Sequence, residues 1–162
     1  MVMAWQAARH NADLILKNFS DGTRPVDLEA IADCLGIDVA YRDLKPGMSG
    51  FIFKDTDERA SIYIDRNDVP GRQRFTLAHE LGHYVERRVE ARDDSFSFTD
   101  TRATKYDLHE FYADEFAGAL LMPEDELREL QRAGYGLSAI AKHFGVTTAA
   151  VAKRLERLRK HR

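Results

Sequence analysis

His79-Glu80-Leu81-Gly82-His83 lies within the run Arg74-Phe75-Thr76-Leu77-Ala78-His79-Glu80-Leu81-Gly82-His83-Tyr84-Val85. Phe75, Ala78, Leu81 and Val85 recur every three or four residues, the apolar stripe that seats a helix on a core. On such a helix His79 and His83 project from one face, so both imidazoles can reach a single cation. Glu80 is displaced round the helix and reads as a general base for metal-bound water rather than as a ligand. Zinc lowers the pKa of that water to about 7, which supplies hydroxide at neutral pH. The competing reading, two surface histidines beside an ion-paired Glu80, needs no metal. Pro70 suits the first helical turn, with Asn67 or Asp68 ahead of it as the expected cap.

Catalytic zinc keeps three protein ligands and leaves its fourth position to solvent. An extended motif would supply a third His beyond His83, but Glu86 stands where it needs Gly and Val89 where it needs His. The ligand is therefore expected from a second helix, Asp107-Leu108-His109-Glu110-Phe111-Tyr112-Ala113-Asp114-Glu115-Phe116-Ala117. Glu110 and Asp114 share one face of it. One carboxylate can bind metal while the other accepts the spare N–H of a ligating imidazole. Asp107 and Glu110 also have capping-box spacing, a purely structural use of the same side chain. His109, about 100° round the helix from Glu110, is the rival ligand.

Four stretches together resemble the ImmA/IrrE metallopeptidases, small thermolysin-like zinc proteases. They are Val26 to Ala32 with Leu35-Gly36-Ile37, then Ser49-Gly50, then Arg74 to Tyr84, and Glu110 to Ala117 followed by Leu120-Leu121-Met122-Pro123. The resemblance implies His79, His83 and Glu110 as ligands of one Zn2+ per chain and Glu80 as the catalytic base. Two imidazoles and one carboxylate suit zinc, with Mn2+ the alternative. Asp114 stands where the family often has Asn or Asp, which implies a role in holding a ligand imidazole. Members of that family are cytoplasmic proteases that cleave helix-turn-helix repressors and so derepress stress or mobile-element genes. The implied partner is a repressor encoded nearby, since no separate repressor or sensor domain is evident in the chain.

Composition fits such an enzyme. The chain has 162 residues, 44% of them hydrophobic, enough for one compact domain with a helical appendage. A net charge of −3 gives no overall attraction to nucleic acid or to membranes. Cys34 is the sole cysteine, so no intrachain disulfide forms, which suits a reducing cytosol. Its place beside Leu35 predicts a packed, small apolar side chain. No apolar run has signal-peptide or membrane-spanning character, and the expected location is cytoplasmic.

The predicted fold class is α+β: a three-stranded antiparallel or mixed sheet packed against the zinc-site helices, with a helix-turn-helix-like C-terminal segment. A helix over Ala4 to Phe19 precedes a second, capped by Asp27 and ending at Gly36. Strands are expected at Ile37–Tyr41, Ser49–Lys54 and Ser61–Asp65. If the last is the sheet edge, an extended substrate can pair with it beside the metal. The division falls into a peptidase domain over 1–123 and a helical segment over 124–162.

Ala91 to Lys105 reads as a long polar loop joining the two ligand helices. It is either a substrate-gripping lid that uses Phe96 and Phe98 or a linker whose phenylalanines pack down. Tyr106 and His109 are further candidates for substrate contact, and with Tyr112 for stabilising an oxyanion.

Leu137 to Leu155 has helix-turn-helix character, with Gly145 at the turn. Thr147, Thr148, Ala149 and Ala150 at the start of its second helix offer no bidentate donors to bases. Lys153, Arg154, Arg157, Arg159, Lys160 and Arg162 are placed to touch phosphates, a contact without sequence information. Two functions from different classes follow. One is a zinc endopeptidase acting on a regulator protein; the other is a DNA-associated regulator with a structural or inactive metal site.

Overall fold

The computed structural model describes residues 1–101 and 105–162, so the end of the expected loop, residues 102–104, lies outside the described residues. Helix α1 (Ala4–Phe19) buries Ala8, Ala12 and Ile15. Helix α2 (Leu28–Cys34) starts at Asp27, whose carboxylate accepts from Ala30 N. Its inner face is Leu28, Ile31 and Ala32, which leaves Cys34 exposed rather than packed.

Four strands form the sheet, one more than expected: β1 (Ile37–Arg42), β2 (Met48–Lys54), β3 (Ala60–Asp65) and β4 (Phe96–Thr101). The added strand lies in the segment read as a loop. Phe96 and Phe98 alternate with Ser97 and Thr99, the period of a half-buried strand, and this outweighs the polar composition. The strand order is β1-β3-β2-β4, with β1 parallel to β3 and the other pairs antiparallel. A row of apolar residues crosses all four strands through Val39, Ile62, Ile52 and Phe98. β3 is thus interior, because Ala60, Ile62 and Ile64 are buried between two partners, and it has no free edge for a substrate.

Helix α3 (Pro70–Tyr84) lies across the sheet, with Pro70 in its first turn. Val69 occupies the capping position without a side-chain bond, while Asn67 instead bonds Asp43 and Asp65. Gly50 permits the contact between β2 and α3: a Cβ there would lie 2.6 Å from Thr76 Cγ2. A π-helical turn (Val85–Glu90) carries the chain into β4.

Helix α4 (Leu108–Leu121) packs on α3, and α1 packs on α4. Three helices follow, α5 (Glu124–Arg132), α6 (Leu137–Phe144) and α7 (Thr148–Lys160), with Gly145 left-handed between the last two. Their Leu127, Ile140, Phe144, Val151 and Leu158 belong to the same apolar core as the sheet and α3. Among the described residues no helix is long and apolar enough to cross a membrane.

Gly82, inside the histidine motif, sets the α3–α4 crossing. A Cβ there would lie 2.9 Å from Ala113 Cα and 3.2 Å from Phe116 Cβ. Backbone cannot yield as a flexible side chain can, so Gly82→Ala forces the two helices apart. We expect it to cost about 1–3 kcal/mol despite the better helix propensity of Ala. Denaturant titration of the two proteins measures that difference.

Candidate metal centre

Helix α3 brings His79, Glu80 and His83 into the interior, where all three are buried. Helix α4 approaches from the other side, and Asp107 opens it by accepting a hydrogen bond from Glu110 N at 3.0 Å. Asp107 therefore caps the helix. The Glu110 carboxylate does not turn back to complete a capping box but faces the imidazoles.

His79 Nε2 and His83 Nε2 are 3.1 Å apart. Glu110 Oε2 lies 3.2 Å from the first and Glu110 Oε1 3.2 Å from the second. Ligand atoms at about 2.0–2.1 Å from a tetrahedral cation would stand roughly 3.3 Å from one another, and the nearest approaches between these three side chains fall close to that spacing. A cation is also favoured by what lies beside the triangle. Both Glu80 carboxylate oxygens and His83 Nδ1 are buried without a hydrogen-bond partner among the described residues. Burial raises the Glu80 pKa to about 8. An unpaired buried carboxylate costs several kcal/mol, on the order of that for any desolvated ion, unless a charge or donor arrives beside it.

The histidines are held differently. His79 Nδ1 lies 3.0 Å from Asp114 Oδ1, so in the neutral, ligating form of the ring Nδ1–H donates to that oxygen and Nε2 presents its lone pair to the triangle. Burial disfavours the charged form of His79, but Asp114 and Glu110 outweigh it and raise its pKa well above the ordinary value. Burial lowers the pKa of His83 and keeps it neutral, the form that ligates metals. The Phe98 ring stacks on His83, with centroids 4.1 Å apart and planes 2° from parallel. Burial works against the charge on Glu110 too, yet the two imidazoles hold its carboxyl well below the usual range.

His109 turns away from the triangle to Glu86, at 2.8 Å. Phe96 packs toward Tyr84 rather than onto the histidines. Tyr106 donates to Asp114 Oδ2 and accepts from Arg157. Tyr112 is buried and accepts from Asn11, away from the triangle.

Two groups of site residues were not singled out from the sequence. Asp100 on β4 brings a carboxylate oxygen within 4.8 Å of ligand atoms of His79 and Glu80, and burial raises its pKa. Its only signal was a place in an alternating run that reads as loop. Arg157 and Lys153 both reach Asp114 Oδ2, at 3.1 and 3.5 Å. Arg157 and Arg154 are among the residues that could have touched phosphates, but Arg154 is buried and Arg157 is mostly covered beside carboxylates of α4, which accords with a structural role for the segment.

The family model described as the IrrE N-terminal-like domain, peptidase M78, matches residues 32–156. No curated protein matches the chain. A solved structure titled Mycobacterium tuberculosis transcriptional regulator superposes with a TM-score of 0.62 over 94% of this chain at 22% identity. The chain spans 46% of that structure's length, and the likeness is one of fold.

Asp114 orients His79 without entering the triangle. Asp114→Ala is expected to weaken Zn2+ binding by about 10–100-fold while preserving the fold. Competition with a chromogenic chelator measures this.

Proposed function

Because the chain belongs to the IrrE N-terminal-like family of M78 peptidases, we propose that it is a zinc-dependent endopeptidase that cleaves a helix-turn-helix repressor or a similar regulator protein. The observation that carries this reading is the meeting of His79, His83 and Glu110 beside a buried Glu80 that has no partner of its own among the described residues. Structural zinc is usually closed by four ligands and needs no adjacent base. A three-ligand triangle with a carboxylate beside it suits hydrolysis.

In the proposed site His79, His83 and Glu110 would hold the ion, which would supply Lewis acidity toward a peptide carbonyl and toward water. Asp114 fixes the tautomer of His79. Glu80 takes the proton of the attacking water and delivers it to the leaving amine nitrogen. Its sealed position keeps that proton from bulk solvent. Residues 1–123 form the catalytic unit in this proposal, and the helix-turn-helix-like segment 124–162 buttresses it.

A DNA-associated regulator with an inert metal site is the other reading. It loses support from Arg157, which pairs with Asp114 and Glu115, and from Arg154, which is buried away from any duplex. It would show itself as salt-dependent duplex binding with a clear sequence preference.

The zinc-loaded protein should cut one of the repressors encoded beside it, at a site mapped by mass spectrometry. Glu80→Gln should retain zinc and lose roughly 10²–10⁴-fold in cleavage rate. Full cleavage by that variant removes Glu80 from the mechanism.

A further inference from the structure

Helices α3, α4 and α7 leave a cavity of about 180 Å³ that is joined to the candidate metal centre through Asp114. Asp114 is common to both: it forms part of the cavity wall and holds His79 Nδ1 at 3.0 Å. Phe75, Gly118, Met122 and Ala150 supply an apolar lining, while Arg72, Lys153, Arg154 and Arg157 supply four cations.

Those cations outnumber the carboxylates that line the same cavity, Asp114 and Glu115. Neither acid has an oxygen to spare. Asp114 Oδ1 is taken by His79, and Oδ2 by Tyr106, Lys153 and Arg157. Glu115 Oε1 is taken by Arg157, while Oε2 serves Arg9 from outside the cavity at 3.1 Å. Arg154 is left with that same Oε2 at 3.8 Å, beyond hydrogen-bond reach. Its side chain is only 3% exposed, and its Nη1 has no hydrogen-bond partner among the described residues. Arg72 bonds Ser49 Oγ, a neutral acceptor. Burial lowers the Arg154 pKa to about 10, which still leaves it charged at neutral pH.

A buried guanidinium with an open N–H group is costly until an anion meets it. A neutral acceptor could meet Nη1 but would leave the excess positive charge standing, and a cation would be repelled. The volume falls below the roughly 300 Å³ at which small-molecule sites begin, so the cavity takes a single side chain rather than a nucleotide. A carboxylate matches the flat fork of Arg, and the apolar lining accommodates a methylene stem.

We propose that this cavity is a specificity pocket for an acidic side chain of the protein substrate, Glu in preference to Asp, flanking the scissile bond. It rests on the peptidase reading above and adds to it a chemical class of substrate. Arg154 and Arg72 are the specificity residues, and Lys153 guards the rim.

The zinc-loaded protein is incubated with a mixed library of peptides of known composition, and the cut sites are mapped by mass spectrometry. Cuts should be enriched at least about tenfold for Glu or Asp at one fixed position beside the broken bond, the gain expected of a charge-assisted hydrogen bond. Arg154→Met and Arg72→Gln, each checked for folding by circular dichroism, should bring the acidic-to-neutral ratio of kcat/KM for matched peptides close to one. Without any cleavage in play, glutarate should bind saturably by calorimetry and glutaramide should not. Cleavage indifferent to acidic residues, or absence of glutarate binding, overturns the pocket and leaves the peptidase reading standing. Failure to cut any peptide or repressor overturns that reading and the pocket with it. If inorganic phosphate binds but glutarate does not, the cavity holds a free ion and the proposal is wrong.

Discussion

The distance at which α4 crosses α3 governs everything at the centre of this protein. The two histidines are one helix turn apart on α3, but their third companion comes from another helix, and Gly82 and Ala113 fix how near it comes. Small residues at a crossing let backbones approach further than the usual 8–10 Å interaxial spacing permits. One side chain larger than hydrogen at Gly82 would separate Glu110 from both imidazoles by the amount that the backbone gave way. The motif therefore carries its chemistry in His79, Glu80 and His83, and its geometry in the glycine between them.

That crossing also explains why the interior tolerates so many ionisable groups. His79, Glu80, His83, Glu110 and Glu115 are all buried, together with Arg154. Each charge left alone would cost several kcal/mol, roughly what a buried unpaired ion costs in any fold. Most are compensated pairwise: His79 by Asp114 and Glu110, Glu115 by three guanidinium groups. Glu80 has no hydrogen-bond partner among the described residues, and burial outweighs the attraction of His79. An apolar protein would remove such a carboxylate, and its retention beside a cation-sized triangle is the physical reason to read the cluster as a working site.

Local periodicity was enough for the helices: Ala4 to Phe19, the start of α2 at Asp27 and the apolar face of α3 follow directly from spacing. The sheet was less legible, because strand order is decided by contacts far apart in sequence. Nothing in Ala60 to Asp65 says that β1 flanks one side and β2 the other. β4 was hidden for a second reason. Its polar residues, Ser97, Thr99 and Asp100, gave it the composition of a loop, while the two phenylalanines that seat it report only their alternation. The site divides along the same line. Residues on one helix announce themselves by spacing, whereas Asp100, Lys153 and Arg157 reach it from elements whose sequences carry no mark of that destination.

The basic face of α7 shows how the same residues change meaning with packing. As a string, Lys153 to Arg162 is a cationic tail suited to a polyanion. In the folded chain Arg154 crosses Gly118 with its stem, and only a glycine leaves room for it, since a Cβ there would stand 3.1 Å from Arg154 Cδ. Arg157 extends alongside and grips Asp114 and Glu115 of α4. Helix α7 is thus joined by charge to the very carboxylate that orients His79. A displacement of α7 would loosen Asp114, and through Asp114 the His79 imidazole. Helix α7 therefore bears on the candidate metal centre through Asp114 as well as through the core that the C-terminal helices share with the sheet.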